Sequence, residues 1–433
     1  MEQDSRWLAV LRRARVPLLI VAVIAAILVL SGPHLAFVVG VLIFILALLI
    51  SVMLHELGHF LTAKKFGMRV TQFFLGFGTT LWSTFRGETE YGIKALWFGG
   101  FVKITGMTSM EEVDVADEPR SFRNQPGWQR IIVLGAGSFM HFVLALFLLF
   151  ILAIGIGQAS DNSNQLTAIT TCVPASEAAL YSSNPCPGGG IESPAMKAGL
   201  KPGDKIVSLA GHPVHSFGQL HSVLKGQKAG VPVPIVVDRH GHDLDLTVSL
   251  ASIPKYGARY LGVVPVTTYQ RLGLGGSIAF AGSQFADTIT SSVSAIGKLP
   301  AAIPDLFAKD RAKTPAGDVS SVVGVGDVTG TVVAAAIPWE AKVSLILYLI
   351  ASLNIFVGLF NLLPLLPLDG GHLAVVIFER IRAWFARLRG RPDPGLVDIQ
   401  KLVPVSMLVF AVLVGLGTLL IAADIFNPVH VQV

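Results

Sequence analysis

Residues 35–54 read LAFVVGVLIFILALLISVML and run without a break into His55-Glu56-Leu57-Gly58-His59. An α-helix rises about 1.5 Å per residue and the hydrocarbon core of a bilayer is about 30 Å thick, so a run of this length predicts a membrane-spanning helix. The five residues that end it form H-E-x-x-H. On a helix, positions i and i+4 share a face, so His55 and His59 can hold one metal ion, with Glu56 beside it as general base. Two histidines at a helix end can also be ordinary polar residues. Their position argues for function, because ionisable groups at the end of a span are costly to keep there.

The composition agrees with a membrane class. Of 433 residues, 52% are hydrophobic and only 14% are charged, against roughly 25% charged in soluble domains. The net charge is +5. No long basic patch with interleaved aromatics is present, which argues against a nucleic-acid partner. Further apolar runs at 16–30, 131–156, 343–366 and 402–423 bring the predicted spans to five. The run 16–30 is short, and it reads as an extra N-terminal span in a segment 1–34. The basic residues follow one side throughout. Arg6, Arg12, Arg13 and Arg15 precede the first run, and Lys64, Lys65 and Arg69 follow the second. Arg120, Arg123 and Arg130 precede the third, and Arg380, Arg382, Arg387, Arg389 and Arg391 follow the fourth. Positive charge is retained on the cytoplasmic side, so the segment between the third and fourth runs is expected outside the cytoplasm. Cys172 and Cys186 fall in it, and a disulfide between them becomes reasonable.

The predicted organisation is a polytopic α-helical membrane protein with a membrane-dipping β-region and one inserted extracytoplasmic α+β domain. A core span with H-E-x-x-H covers 35–64, a β-region 65–110, a linker 111–130 and a core span 131–157. The inserted domain covers 158–266 and an interfacial linker 267–340. A core span 341–373, a basic cytoplasmic loop 374–401 and a final span 402–433 complete the chain. The β-region is rich in Gly, Phe, Thr and Trp, with alternation through Gly99-Gly100-Phe101-Val102-Lys103-Ile104. Backbone at membrane depth must pair internally or line a cavity, which suits a small sheet beside a site.

A catalytic zinc takes three protein ligands and leaves one position open. The best third candidate is Asp369, in Asn361-Leu-Leu-Pro-Leu-Leu-Pro-Leu-Asp369-Gly370-Gly371-His372. Asp-Gly-Gly alone reads equally well as a turn. Topology separates the two readings: the second and fourth runs both travel inward, so H-E-x-x-H and Asp369 reach the same side at similar depth. His372 ranks below Asp369 as a ligand and reads as a helix-start or supporting residue. Asn361 can hydrogen-bond the substrate backbone or the tetrahedral oxyanion, or serve as a helix-packing amide.

H-E-x-x-H at one span end with N-x-x-P-x-x-P-L-D-G-G at another resembles the site-2 proteases, a family of intramembrane zinc metalloproteases. Phe77-Gly78 and Gly99-Gly100-Phe101-Val102-Lys103 resemble the β-region of its bacterial branch. Ser193-Pro194-Ala195 through Ala198-Gly199-Leu200-Lys201-Pro202-Gly203-Asp204 resembles its inserted PDZ domains, and Val323-Gly324-Val325 a motif before its third core span. The closest pattern is that of actinobacterial single-PDZ members. The resemblance implies Zn2+ as cofactor, Gly100 and Phe101 as substrate contacts, and a bacterial plasma-membrane location. It also implies a single-pass substrate, typically a pre-cleaved anti-sigma factor, with the PDZ domain gating access. Two departures are clear. One is the extra N-terminal span. The other is that the family shows G-P-x-x-N where this chain has Gly137-Ser138-Phe139-Met140-His141; His141 can disturb or supplement polar contacts there, and the change reads more readily as a tolerated packing variant. Two other functions compete, a catalytically silent PDZ-bearing scaffold and a metal-ion transporter. The first predicts a degraded ligand set, and the second predicts polar residues spread through several spans. Neither pattern is found in the sequence.

Overall fold

The computed structural model describes residues 32–107, 112–160, 162–173, 192–252, 259–308, 311 and 314–428. The predicted extra span at 16–30 and Cys186 lie outside the described residues. The chain divides into two compact units, one formed by Ala153–Leu274 and the other by the chain on either side of it.

The larger unit is helical. Helix α1 spans Leu35–Lys65, and the hairpin strands β1 (Val70–Arg86) and β2 (Thr89–Ile104) follow it. Helix α2 spans Gly127–Ile151 and continues as a π-helical turn through Ile156. Helices α3 (Leu274–Ala302), α4 (Val322–Ala334), α5 (Trp339–Asn361), α6 (Asp369–Leu388) and α7 (Val403–Phe426) complete it. Among the described residues four helical segments are long and apolar enough to cross a membrane: Leu35–Lys65, Gly127–Ile156, Trp339–Asn361 and Gln400–Phe426. Helix α1 is central, packing against α2, α4 and β2. Its buried residues Gly40, Phe44, Ser51, His55, Gly58, His59 and Ala63 follow the helical period along one face.

Within a bilayer, helices gain nothing by hiding apolar side chains from lipid, so close backbone approach carries the association. Two crossings show it. A Cβ on Gly40 would lie 2.7 Å from the Gly330 Cα of α4, and one on Gly330 would lie 2.6 Å from the Phe37 ring. On the other side, a Cβ on Gly58 would lie 2.4 Å from the Ala136 carbonyl of α2. One buried ion pair ties α6 to α2: Arg130 Nη1 lies 2.8 Å from Glu379 Oε2, and Glu379 Oε1 also accepts from the Val397 backbone at 2.8 Å.

Three segments differ from the sequence-based expectation. The span expected to run through Leu366 ends as a helix at Asn361, because Pro364 and Pro367 cannot continue it. Asp369-Gly370-Gly371 is the first turn of α6, and the segment expected as a basic loop is helical to Leu388. Its arginines mask an underlying 3.6-residue apolar period. The segment 267–340, expected as a linker, holds α3 and α4, whose small residues carry little amphipathic signal.

The smaller unit is α+β. Its four-stranded antiparallel sheet contains β3 (Lys205–Leu209), β4 (His212–Pro213), β5 (Pro232–Arg239) and β6 (His242–Ser249) in the order β4-β3-β5-β6. Val233, Ile235 and Val237 alternate inward along β5 and pack with Ile206, Leu209 and Leu220, as period-2 patterning requires. The helix Phe217–Lys225 covers the core, capped by Ser216 Oγ. Short strands at Leu166–Ile169 and Val263–Pro265 pair with one another, so the chain comes into and leaves the unit side by side. Cys172 is buried, and among the described residues no cysteine is free.

Candidate metal centre

His55 and His59 lie on the buried face of α1, and Asp369 opens α6. The three side chains converge. His55 Nε2 is 3.1 Å from Asp369 Oδ2, His59 Nε2 is 3.3 Å from the same oxygen, and the two Nε2 atoms are 3.1 Å apart. Among the described residues this is the one cluster of three or more His, Cys, Asp or Glu side chains able to hold a metal. His372 stands outside it.

The protonation state of His59 follows from its partner. Nδ1 lies 2.7 Å from the Val133 carbonyl. A carbonyl only accepts, so Nδ1 carries a proton, and in the neutral ring that binds a metal Nε2 presents the lone pair. Among the described residues, no hydrogen-bond donor reaches the buried Asp369 Oδ2. The neutral His59 Nε2 lone pair and an unpartnered carboxylate oxygen directed at one another repel unless a cation lies between them. Two imidazoles and a carboxylate suit zinc, with a position left for water. The donor set therefore fits the metal.

Helix α2 shapes this centre with two residues one turn apart. Val133 supplies the carbonyl that orients His59. Gly137 brings bare backbone against both rings: a Cβ there would lie 2.4 Å from His59 Nε2 and 2.6 Å from His55 Nε2. The Gly370-Gly371 pair has a similar reason. A Cβ on Gly370 would lie 2.3 Å from the Leu362 carbonyl, and one on Gly371 would lie 2.5 Å from the Leu366 nitrogen. Helix α6 can start where Asp369 is needed only because its first turn lies tightly on the preceding loop.

Glu56 faces β2. Its carboxylate lies in the favourable field of the Val102 backbone N–H. A Cβ on Gly100 would lie 3.4 Å from Glu56 Cγ and 3.1 Å from Met53 Sδ. Phe101 stacks on Phe74 and Phe77, with ring centroids 5.6 and 5.9 Å away. The β-region thus lies directly against the residue predicted as the base. Asn361 is half-buried at the end of α5, and among the described residues its side chain makes no hydrogen bond.

One turn before His55 lies a polar layer that the sequence reading touched only at His141, with Ser51 and Asn354 missed. Ser51 Oγ donates to Asn354 Oδ1 at 2.5 Å, and His141 Nδ1 lies 2.8 Å from the same oxygen. Asn354 Nδ2 donates to the Ile350 carbonyl at 2.8 Å, which fixes the amide with its oxygen toward His141. His141 is therefore the Nδ1–H tautomer, and its ring lies 5.0 Å from that of His55. The residue in the family's Asn position joins α1, α2 and α5 through one acceptor. Ser51 is four residues before His55 and Asn354 seven before Asn361, so helical periodicity was the available signal for both.

Two histidines on a helix that can cross a membrane, an aspartate brought to them by the helix that follows a second such span, and a glutamate beside them form the donor set of a membrane metallopeptidase of the H-E-x-x-H type. The chain belongs to peptidase family M50, whose family model matches residues 43–391, and it is a zinc metalloprotease of the site-2 class. It is 36% identical over 412 residues to zinc metalloprotease Rip1 of Mycobacterium tuberculosis (strain ATCC 25618 / H37Rv), covering 91% of this chain and 99% of that one. It is 35% identical over 417 residues to Rip1 of Mycolicibacterium smegmatis, with the same coverage. Identity to metalloprotease MmpA of Caulobacter vibrioides is 26% over 378 residues, covering 78% of this chain and 86% of that one. A solved PDZ domain of an SdrC-like protein from Listeria monocytogenes matches 24% of this chain and 88% of its own, at 18% identity and a TM-score of 0.17.

Proposed function

We propose that this protein hydrolyses a peptide bond within or beside the membrane span of a single-pass protein, with His55, His59 and Asp369 holding zinc and Glu56 as general base. The observation that carries the assignment is the convergence of the three ligand atoms on the face of α1 that carries H-E-x-x-H. Bound zinc supplies a Lewis acid and a water acidified towards a pKa of about 7. Glu56 would carry the proton from the attacking water to the leaving nitrogen, a role worth about 10²–10⁴ in rate. The Val102 N–H orients its carboxylate. Gly100 and Phe101 on β2 offer backbone beside Glu56 against which an unwound substrate segment can extend. Asn361 supplies an amide to the substrate backbone or the oxyanion.

The smaller unit serves as a PDZ domain outside the cytoplasm that limits access to substrates already trimmed, of which an anti-sigma factor is the expected kind. Its Cys172 pairs with Cys186. The active site lies near the cytoplasmic side of the bacterial plasma membrane, as the distribution of arginines and lysines supports. The test is cleavage of a tagged single-span substrate by detergent-purified protein, with zinc measured on the same samples. Glu56→Gln is expected to keep zinc and lose cleavage, and Asp369→Ala to lose both. Equal zinc in wild type and both variants, with no cleavage by any of them, would return the scaffold and transporter readings.

A further inference from the structure

Helix α6 carries Asp369 at its first residue, yet most of its length has no part in the metal centre. Its buried face is Val376, Glu379 and Ala383, spaced i, i+3, i+7 and turned to α2. The opposite face is a continuous apolar stripe of Ala374, Ile377, Phe378, Ile381, Trp384, Phe385 and Leu388, also on the helical period. Phe378 is 55%, Trp384 53% and Leu388 64% exposed. Arginines border the stripe on both edges. Arg380 and Arg387, seven apart, lie along one edge, and Arg382 and Arg389, also seven apart, lie along the other, with Arg391 following.

The acidic groups nearby do not neutralise these arginines. Glu379 is already held by Arg130 and Val397, and Asp393 turns onto the Gly395 backbone. Arg382 donates to the Gly395 carbonyl at 2.6 Å, and its guanidinium lies 5.8 Å from the Phe378 ring. The helix cannot cross a membrane with this charge, and it cannot move far from one. It is joined to α5 by residues 362–368 and to α7 by residues 389–402, and both of those helices are long and apolar enough to span. A groove continuous with the stripe at Phe378 runs on to Leu402, Val405 and Val409, where α7 begins. An apolar stripe bordered by arginines, with a tryptophan on it, is the pattern of a helix lying in a membrane interface.

We propose that α6 lies in the plane of the cytoplasmic membrane interface and docks on anionic phospholipid, with the Ile377–Leu388 stripe among the acyl chains and Arg380, Arg382, Arg387, Arg389 and Arg391 on the phosphates. The third zinc ligand is then the first residue of a helix held by lipid on one face and by Arg130 on the other. This rests on the orientation proposed above, and its test separates the two.

A nitroxide is attached at Trp384→Cys in full-length protein reconstituted in vesicles of phosphatidylcholine alone or with phosphatidylglycerol. A second nitroxide at Leu408→Cys, on α7, reports whether the spans are in the bilayer, and unsubstituted protein carried through labelling gives the background. Phe385→Cys repeats the measurement should the first variant not fold. In vesicles with phosphatidylglycerol the label at 384 is expected to be accessible to oxygen and severalfold shielded from an aqueous nickel chelate. Charge reversal at Arg387, Arg389 and Arg391 together is expected to abolish that shielding. A label at 384 open to nickel while that at 408 is shielded overturns the inference and leaves the membrane reading intact. Shielding that ignores both lipid charge and arginine reversal overturns the anionic-lipid assignment. Nickel access at 408 overturns the membrane reading itself, and this inference falls with it.

Discussion

Gly137→Ala tests the geometry of the metal centre with one methyl group. The added Cβ would lie 2.4 Å from His59 Nε2, 2.5 Å from His55 Cε1 and 2.6 Å from His55 Nε2. Ordinary van der Waals contact begins near 3.4 Å, so about 1 Å of separation must be created. His59 cannot yield cheaply, because its Nδ1–H is fixed at 2.7 Å on Val133 of the same helix. Either α2 moves away and takes that carbonyl with it, or the rings turn off the metal axis. Ligand distances at zinc tolerate about ±0.2 Å, so either route damages coordination. Overpacking of this kind costs about 1–3 kcal/mol, which is roughly a five- to 150-fold loss of zinc affinity at about 1.4 kcal/mol per decade. The sign is opposite to that of a usual glycine-to-alanine change in a helix, which stabilises by about 0.4–1 kcal/mol where the conformation allows it. Gly135→Ala is the control, because a Cβ there meets nothing within 4 Å. Zinc affinity is read by competition with a chromophoric chelator in detergent, alongside substrate cleavage. Gly137→Ala with the zinc affinity and activity of Gly135→Ala would refute the reasoning that backbone contact with the imidazoles shapes this centre.

Other perturbations bear on other parts. His141→Leu removes one of the two hydrogen bonds that Asn354 Oδ1 accepts in a buried layer and is expected to cost about 0.5–1.5 kcal/mol in thermal unfolding, with His141→Asn costing less because an amide restores a donor; equal losses for the two would show that only volume matters there. Arg130→Met leaves Glu379 buried without its partner and should destabilise by about 3–5 kcal/mol, whereas Arg130→Met with Glu379→Met should be close to neutral, as a denaturation series in detergent would show. In the smaller unit, burial pushes the Asp204 carboxyl up, and the hydrogen bonds from Arg239 at 2.7 and 2.8 Å and from the Lys201 backbone outweigh it, so its pKa is net lowered. A carboxylate depressed on folding contributes stability that is complete above its ordinary range and is lost as pH falls through its folded value. Acidification below about pH 4 should therefore lower the protection factors of the β3 and β5 amides in wild type, after correction for the slower intrinsic exchange in acid, and Asp204→Asn should show the lower protection already at neutral pH with little further change on acidification.

The parts of this protein that the sequence disclosed are those in which one residue type does one job at fixed spacing. The H-E-x-x-H pair sits at i and i+4 on a predicted span, and charge bias alone predicts Asp369 at the same end of the helices. Those two signals are independent of each other, which is why they picked out three side chains that converge in the fold before any contact was known. The parts that stayed hidden depend on what lies opposite. Gly137 is one of 44 glycines, and nothing local distinguishes it from Gly135 two residues away, since the need for a bare Cα arises only from the imidazoles of α1. The Val133 carbonyl and the Val102 N–H are backbone groups that any residue would carry, so they leave no trace in side-chain identity.

The departure at His141 shows the limit most sharply. Read along the chain, a histidine in place of the family's Asn is a packing variant. In the fold, Asn354 Oδ1 is the acceptor that selects among side chains at that position, because it takes one hydrogen bond from Ser51 and needs a second donor from α2. An imidazole N–H meets that need as an amide N–H would, and an apolar side chain of equal size would not. The requirement is for a donor at one point in space, and it becomes a requirement on sequence only once three helices have been brought together.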